Sequence, residues 1–149
     1  TYTSAKKVVL KKPTRKGYAF KGWYTDRKCT KKITSIKKGS KKNYTIYAKW
    51  SKVKVKKTTG LKVMNTKGKN LVVRYSKVSG AKGYQITYAT NSKFTKGKKV
   101  VNTTKRTKTI QKLKKGKTYY VRVRAYKKDS TGRKVYGKYS TVKKIKITK

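Results

Sequence analysis

Apolar and polar residues alternate one by one in the later part of the chain, and the alternation recurs at short intervals. Period-two alternation puts every second side chain on the same face of a strand, so each stretch predicts a β-strand with one buried face. Turn-forming residues lie between the stretches, near 79–83, 114–116 and 129–132. This spacing predicts an antiparallel sandwich. The alternating stretches are residues 71–75, 84–88, 119–126 and 142–147.

The first fifty residues predict a smaller β-rich module. A short apolar strand at 6–11 stops before Pro13, and an aromatic strand at 17–24 is entered and bent by glycines. Residues 44–50 alternate again, and we expect Trp23 and Trp50 to pack in the core of this module. A polar stretch without bulky aromatic residues follows. The chain is therefore expected to be all-β, with a module at 1–50, a linker or first strand at 51–57, and a sandwich at 58–149.

The first module resembles a known repeat. The stretch from Pro13 to Tyr24 contains Gly-Trp-Tyr, residues 33–36 read Ile-Thr-Ser-Ile, and residues 47–50 read Tyr-Ala-Lys-Trp. These motifs and their spacing resemble the internalin B-repeat, also called the Listeria–Bacteroides repeat. The resemblance implies a β-grasp-like module that occurs in tandem on bacterial surface and secreted proteins. The opening strand and Gly-Gly turn of the repeat are missing before Tyr2, so the resemblance implies a partial repeat, truncated at its N-terminus.

The second module, at residues 56–148, resembles the fibronectin type III domain. That resemblance implies a seven-stranded antiparallel sandwich with a tyrosine corner at Tyr119. Tyr75 stands where the family usually has a tryptophan. The signature consists of Leu113, Gly116, Tyr119, Val121, Val123 and Ala125 at the family's spacing.

The charge of the chain is extremely one-sided. It has 48 Lys plus Arg against 2 Asp plus Glu, which are Asp26 and Asp129, and its formal net charge is +46. Acid–base catalysis usually needs His or paired carboxylates, and metal sites need His, Cys or carboxylate clusters. A lysine nucleophile remains formally open, but none of the lysines stands out. We therefore expect no enzyme, no metal and no cofactor.

Such a surface repels itself unless anions offset the charge. We expect a polyanionic partner: teichoic acid, acidic glycan, nucleic acid or acidic lipid. If Tyr119, Val121, Val123 and Ala125 face the core, the residues between them form an outward row of guanidinium and aromatic groups, which suits anionic polymers. The alternative is an ordinary solvated strand face. The candidate polyanion-binding residues are Tyr120, Arg122, Arg124 and Tyr126.

Two single residues have a sharper and a plainer interpretation. Cys29, the one cysteine, is either a small loop residue or a reactive thiol among cationic neighbours. Asp129 lies where some fibronectin type III domains carry an integrin-binding Arg-Gly-Asp. This chain reads Lys-Lys-Asp-Ser-Thr-Gly-Arg there, which favours a plain turn.

The sequence thus favours a non-catalytic, extracellular pair of modules from a bacterial surface or cell-wall protein, held on anionic polymers by charge. A structural spacer or adhesin stalk without its own ligand is one alternative. A secreted protein that binds nucleic acid non-specifically is another, since basic charge attracts any duplex. The longest apolar runs have only three residues, so no transmembrane segment is expected.

Overall fold

The computed structural model describes residues 6–149, and its regular structure consists of antiparallel β-strands. The prediction of an all-β chain is confirmed. The N-terminal truncation that the resemblance implied, near Tyr2, falls outside the described residues. None of the described residues belongs to a helix that could cross a membrane. The described chain divides into two compact units, the first formed by residues 6–53 with Lys128–Arg133, the second by Lys54–Lys127 with Lys134–Lys149.

The first unit contains five strands in two small sheets. Strands β1 and β4 pair with each other, and β2 lies between β3 and β5 in a three-stranded sheet. Gly22 forms a bulge in β2, where the register with β5 shifts and φ is +136°. The strands are β1 (Val8–Val9), β2 (Tyr18–Tyr24), β3 (Lys32–Ile33), β4 (Ser35–Ile36) and β5 (Tyr47–Lys52).

Aromatic rings form the apolar centre of the first unit. The ring of Phe20 lies edge-on to Trp23 and Trp50, at centroid distances of 5.5 and 5.4 Å. The indole N–H of Trp23 donates a hydrogen bond of 2.9 Å to the carbonyl of Lys11. All three rings remain half-buried, so the apolar interior of this unit is thin.

The second unit is a sandwich of two antiparallel sheets. Strands β10, β7 and β6 form one sheet, and β12, β11, β8 and β9 form the other, in which β13 also pairs with β11. The strands are β6 (Lys62–Thr66), β7 (Asn70–Arg74), β8 (Gly83–Ala89), β9 (Lys99–Thr103), β10 (Thr107–Ile110), β11 (Thr118–Lys128), β12 (Lys134–Tyr136) and β13 (Lys143–Lys146).

The second unit has the expected seven strands, the last of which is interrupted. Its last strand is broken into β12 and β13, and both halves pair with β11. Between them, the amide of Gly137 donates to the carbonyl of Ala125 at 2.9 Å, and the amide of Ser140 donates to that of Val123 at 2.8 Å. A side chain at Gly137 would collide with the backbone of Lys56, 2.7 Å away. The segment between β12 and β13 is therefore still hydrogen-bonded to β11, although it is not regular β-strand.

The core of the second unit fills the space between the sheets. The expected inward residues of the alternating stretches are buried there, including Leu71, Val73, Ile86, Val121 and Val123, each with no exposed surface. Burial of this kind stabilises a domain by about 25 cal/mol per Å² of apolar surface. The sequence pattern therefore identified most of this core, although Val142, at the start of the last stretch, is exposed.

The segment at 53–61 forms no strand, because β5 ends at Lys52 and β6 begins at Lys62. The segment is mostly polar, but the side chain of Thr58 within it is fully buried. Thr58 accepts a hydrogen bond of 2.9 Å from the amide of Ala125 through its hydroxyl oxygen. The part of this segment after Val53 thus packs on the sandwich as irregular chain.

Candidate anion-binding face

Strand β11 separates core residues from outer-face residues as expected. Tyr119, Val121, Val123 and Ala125 belong to the core cluster. The side chains between them lie on the outer face of the five-stranded sheet, since successive residues of a strand point to opposite faces. The structure therefore brings Tyr120, Arg122, Arg124 and Tyr126 onto one face, which we call the β11 row.

The guanidinium group of Arg122 lies between two aromatic rings. Its central carbon is 4.1 Å from the ring centre of Phe94 and 4.0 Å from that of Tyr139. A planar cation over an aromatic face is attracted by the ring's quadrupole. Among the described residues, no acceptor reaches its buried Nε atom. The stacked rings, rather than an anion partner, hold this side chain.

Arg124 repeats the arrangement one step along the strand. Its guanidinium carbon lies 3.9 Å from the ring centre of Tyr136 and 4.6 Å from that of Tyr139. Its Nε–H donates a hydrogen bond of 2.9 Å to the amide oxygen of Gln85 on β8. The Tyr139 ring is thus shared by both arginines, and the two cations occupy fixed positions.

Local turns supply the rings of this stack. Phe94 lies in the loop between β8 and β9, where Asn91 accepts hydrogen bonds from the amides of Thr95 and Lys96 at 3.0 and 2.9 Å. Such an Asx-type closure fixes a short loop. Tyr136 is the last residue of β12, and Tyr139 lies within the break between β12 and β13. The break therefore places both tyrosine rings over the outer face of β11.

Tyr126 departs from the expectation of a solvent-facing row. It lies on the outer face, but only 8% of it is exposed. Gly83 stands directly opposite it on β8, and a side-chain carbon at Gly83 would come within 2.5 Å of the tyrosine hydroxyl. The Tyr136 ring packs edge-on against the Tyr126 ring, with 5.7 Å between centroids. Tyr126 is therefore a packing residue, while Tyr120, Arg122 and Arg124 remain partly exposed.

Sequence reasoning missed the partners of the row, which are Phe94, Gln85, Tyr136 and Tyr139. None of the three aromatic residues lies in an alternating stretch that marks a core face. Two tyrosines spaced three residues apart beside the last strand were the available signal. Their stacking role becomes visible only once the break between β12 and β13 is known.

Both carboxylates belong to the first unit and are used for local structure. Asp26 accepts hydrogen bonds from the amides of Lys31 and Thr30, which lower its pKa. Asp129 accepts one of 2.8 Å from the amide of Gly17. That bond, together with those from Thr131, lowers the pKa of Asp129 to about 2. Asp129 therefore closes its own turn through the amides of Thr131 and Arg133 and joins that turn to the chain at Gly17.

Cys29 lies in the turn that Asp26 organises. Its amide donates a hydrogen bond of 3.0 Å to the carbonyl of Asp26, and its φ is +55°. The thiol is free and half-buried. This position fits the plainer interpretation of a loop residue.

Family comparison matches both modules. Residues 54–138 match the fibronectin type III domain, and residues 1–49 match the Listeria–Bacteroides repeat domain. The chain belongs to the fibronectin type III family and carries a Listeria–Bacteroides repeat ahead of that domain. The suspected resemblances are thereby confirmed in both segments. Fibronectin type III-like domains are generally non-catalytic, and the two modules together are typical of bacterial surface proteins.

Solved structures show the same fold at low sequence identity. The chain is similar to the FN1–FN3 domains of chicken CNTN1, with 19% identity, a TM-score of 0.54, and coverage of 77% of this chain and 39% of that one. It is also similar to the FN5 domain of Drosophila Lar, with 15% identity, a TM-score of 0.51, and coverage of 64% and 98%. The comparison with curated proteins found no match.

Proposed function

We propose that this module pair is a non-catalytic extracellular part of a bacterial surface protein, retained on an anionic wall polymer such as teichoic acid or an acidic glycan. The retention is electrostatic and leaves the polymer chemically unchanged. The domain types support the location, and the charge of +46 supports the kind of partner.

The observation that carries this proposal is the distribution of carboxylates. Asp26 and Asp129 both belong to the first unit, so the second unit contains no Asp or Glu at all. In the first unit, backbone amides already occupy both carboxylates. The positive field of the sandwich therefore has no internal counter-charge, and an external polyanion can supply it.

The β11 row contributes fixed rather than flexible charge. Stacking holds the guanidinium groups of Arg122 and Arg124, and both side chains stay half-exposed. A preordered cation loses less side-chain entropy when it binds an anion. We therefore assign the row a larger share of the affinity than an average pair of surface lysines.

The test is binding to purified wall teichoic acid and to heparin over a range of salt concentrations. Affinity should fall steeply as salt rises, because a polycation displaces condensed counterions from a linear polyanion. Binding that ignores salt would contradict the electrostatic mechanism. Competition by duplex DNA that exceeds competition by teichoic acid would favour the nucleic-acid alternative.

Two double variants with equal charge change test the β11 row. Arg122→Gln with Arg124→Gln should weaken binding more than Lys54→Gln with Lys56→Gln, whose side chains are exposed. Because the arginines are stacked, thermal melts must show that both variants are folded at the assay temperature. Equal losses would mean that total charge alone matters.

A structural spacer is the second candidate, and the stacked arginines favour it. Their guanidinium groups already pack against Phe94, Tyr136 and Tyr139, which stiffens the outer face. A wild-type chain that fails to bind any wall polymer at low salt would make the spacer the better account.

A further inference from the structure

A cleft of about 980 Å³ opens in the second unit. Its walls come from the start of β11, the loop before it, strand β13, the end of β8 and the start of β9. It contains Tyr120, the first residue of the β11 row, but none of the row's arginines. The cleft is therefore a separate concave surface next to the row.

Exposed lysines surround this cleft, and no carboxylate lies among its lining residues. The register places Lys144 directly opposite Tyr120 and Lys146 opposite Thr118, so these lysines share the outer face with Tyr120. Concave surfaces lined by one sign of charge focus the electrostatic field. The lysines are Lys99, Lys112, Lys114, Lys117, Lys144 and Lys146.

The cations of the cleft are all ammonium groups. Arginine presents a planar fork that matches a carboxylate bidentately, whereas lysine is a compact point charge with freely rotating donors. A flexible phosphodiester polymer has one negative charge per repeat. Each ammonium group can therefore contact a different phosphate along such a polymer. The lining therefore fits a phosphodiester chain better than a carboxylated glycan.

Hydroxyl groups lie among the ammonium groups. Tyr88 lines the cleft, and burial, with a smaller effect of the nearby Tyr119, raises the pKa of its hydroxyl. Thr90 and Thr118 also line the cleft. These groups can bond the free hydroxyls of a polyol phosphate between its charges.

We infer that this lysine cleft is the principal binding site for a segment of a polyol-phosphate polymer. The inference rests on the proposed retention by an anionic wall polymer and gives it a location and a chemistry. Ammonium groups contact successive phosphodiesters along the cleft, and the β11 row extends the contact beyond Tyr120.

The experiment is calorimetric titration of the whole chain with a glycerol-phosphate oligomer of defined length at several salt concentrations. The cleft variant carries Lys114→Gln, Lys117→Gln and Lys144→Gln. The control carries Lys62→Gln, Lys77→Gln and Lys82→Gln, which lie in the same unit, are exposed, and do not line the cleft. Both variants lose the same charge, and thermal melts confirm that both are folded.

We expect the cleft variant to bind about tenfold more weakly than wild type and the control to lose about threefold or less, given the usual strength of exposed charge contacts. The slope of log affinity against log salt should fall by about 2 in the cleft variant, since about 0.7 counterion is released per contact with a single-stranded polymer. Equal losses in both variants would overturn the cleft while leaving charge-based retention intact. Failure of the wild type to bind at low salt would overturn both.

An oligogalacturonate with the same number of charges tests the chemistry. Wild type should bind it several-fold more weakly than the glycerol-phosphate oligomer, and the cleft variant should show little further loss. Equal or tighter binding of the carboxylated oligomer would overturn the assignment to phosphodiesters.

Discussion

The backbone amide of Lys114 donates a hydrogen bond of 3.2 Å to the hydroxyl of Tyr119. This bond ties the loop before β11 to the first inward residue of that strand, and it is the tyrosine corner that the sequence led us to expect. Tyr119 is buried, with 6% of its surface exposed, and its ring belongs to the core of the second unit.

Tyr119→Phe should therefore destabilise the second unit by about 1 kcal/mol, the usual contribution of such a hydrogen bond. Denaturant melts of the wild type and the variant measure the change. Tyr120→Phe is the matched control, because it removes the same atom from the next residue on the outer face. A loss in the control as large as that in Tyr119→Phe would contradict the corner.

Because the guanidinium group of Arg122 stacks on aromatic rings, we expect that a lysine of the same charge cannot replace it. Arg122→Lys keeps the charge but loses the planar group between Phe94 and Tyr139, so we expect destabilisation of about 1 kcal/mol. Arg74→Lys, at an exposed position on β7, should have almost no effect. A double-mutant cycle with Tyr139→Leu should show coupling, and additive effects would refute the stack.

The packing of Tyr126 against Gly83 predicts a steric penalty. Gly83→Ala should destabilise the second unit by about 1–3 kcal/mol, because the tyrosine ring must leave its place. Combining it with Tyr126→Ser should recover part of the loss. Gly132→Ala is unsuitable as a control, since its φ of +81° adds strain, although no atom lies within 4 Å. An unchanged melting curve for Gly83→Ala would contradict the close approach.

Asp129 predicts an acid-dependent loss of stability in the first unit. The bond from the Gly17 amide, followed by the hydroxyl of Thr131, lowers the folded-state pKa from 3.8 to about 2. A depressed carboxyl pKa stabilises the fold above the unfolded value and loses that contribution as pH falls through the folded value. The stabilisation is therefore complete above about pH 4–5 and disappears towards pH 2.

NMR titration of the Asp129 carboxyl and of the Gly17 amide measures this effect. Both signals should share one midpoint near the lowered pKa, and Asp129→Asn should abolish the change at Gly17. A midpoint near the ordinary value of an aspartate would show that the hydrogen bond is absent in solution.

The period-two alternation of apolar and polar residues predicted the longer strands and their buried faces. The alternation from Tyr119 to Ala125 identified a strand and its buried face, because side chains of a strand alternate whatever surrounds them. The two-residue strands β1 and β4 carry too short a pattern to be recognised as a pair. The break in the last strand depends on contacts with β11, which no local pattern contains.

The candidate site shows the same division. Arg122 and Arg124 were found because they alternate with core residues, but the burial of Tyr126 depends on a glycine 43 positions earlier on the neighbouring strand. The lysine cleft escaped notice for a different reason. The chain has 48 basic residues in 149, so no local cluster of lysines stands out from the rest of the sequence. Only the fold brings some of these lysines together around a cleft.

The placement of lysine on the rims of the two sheets also bears on how neighbouring copies behave. Each outer strand of the sandwich carries at least one lysine: β6, β10, β9, β12 and β13. An edge strand has unpaired backbone groups that can pair with a strand of another chain, and like charges along the edge oppose that pairing. Crowded copies of the chain should therefore repel one another through these edge strands. A polyanion that neutralises the lysines removes this repulsion. The turbidity of a protein–polymer mixture should therefore rise near charge neutrality and fall again when the polymer is in excess.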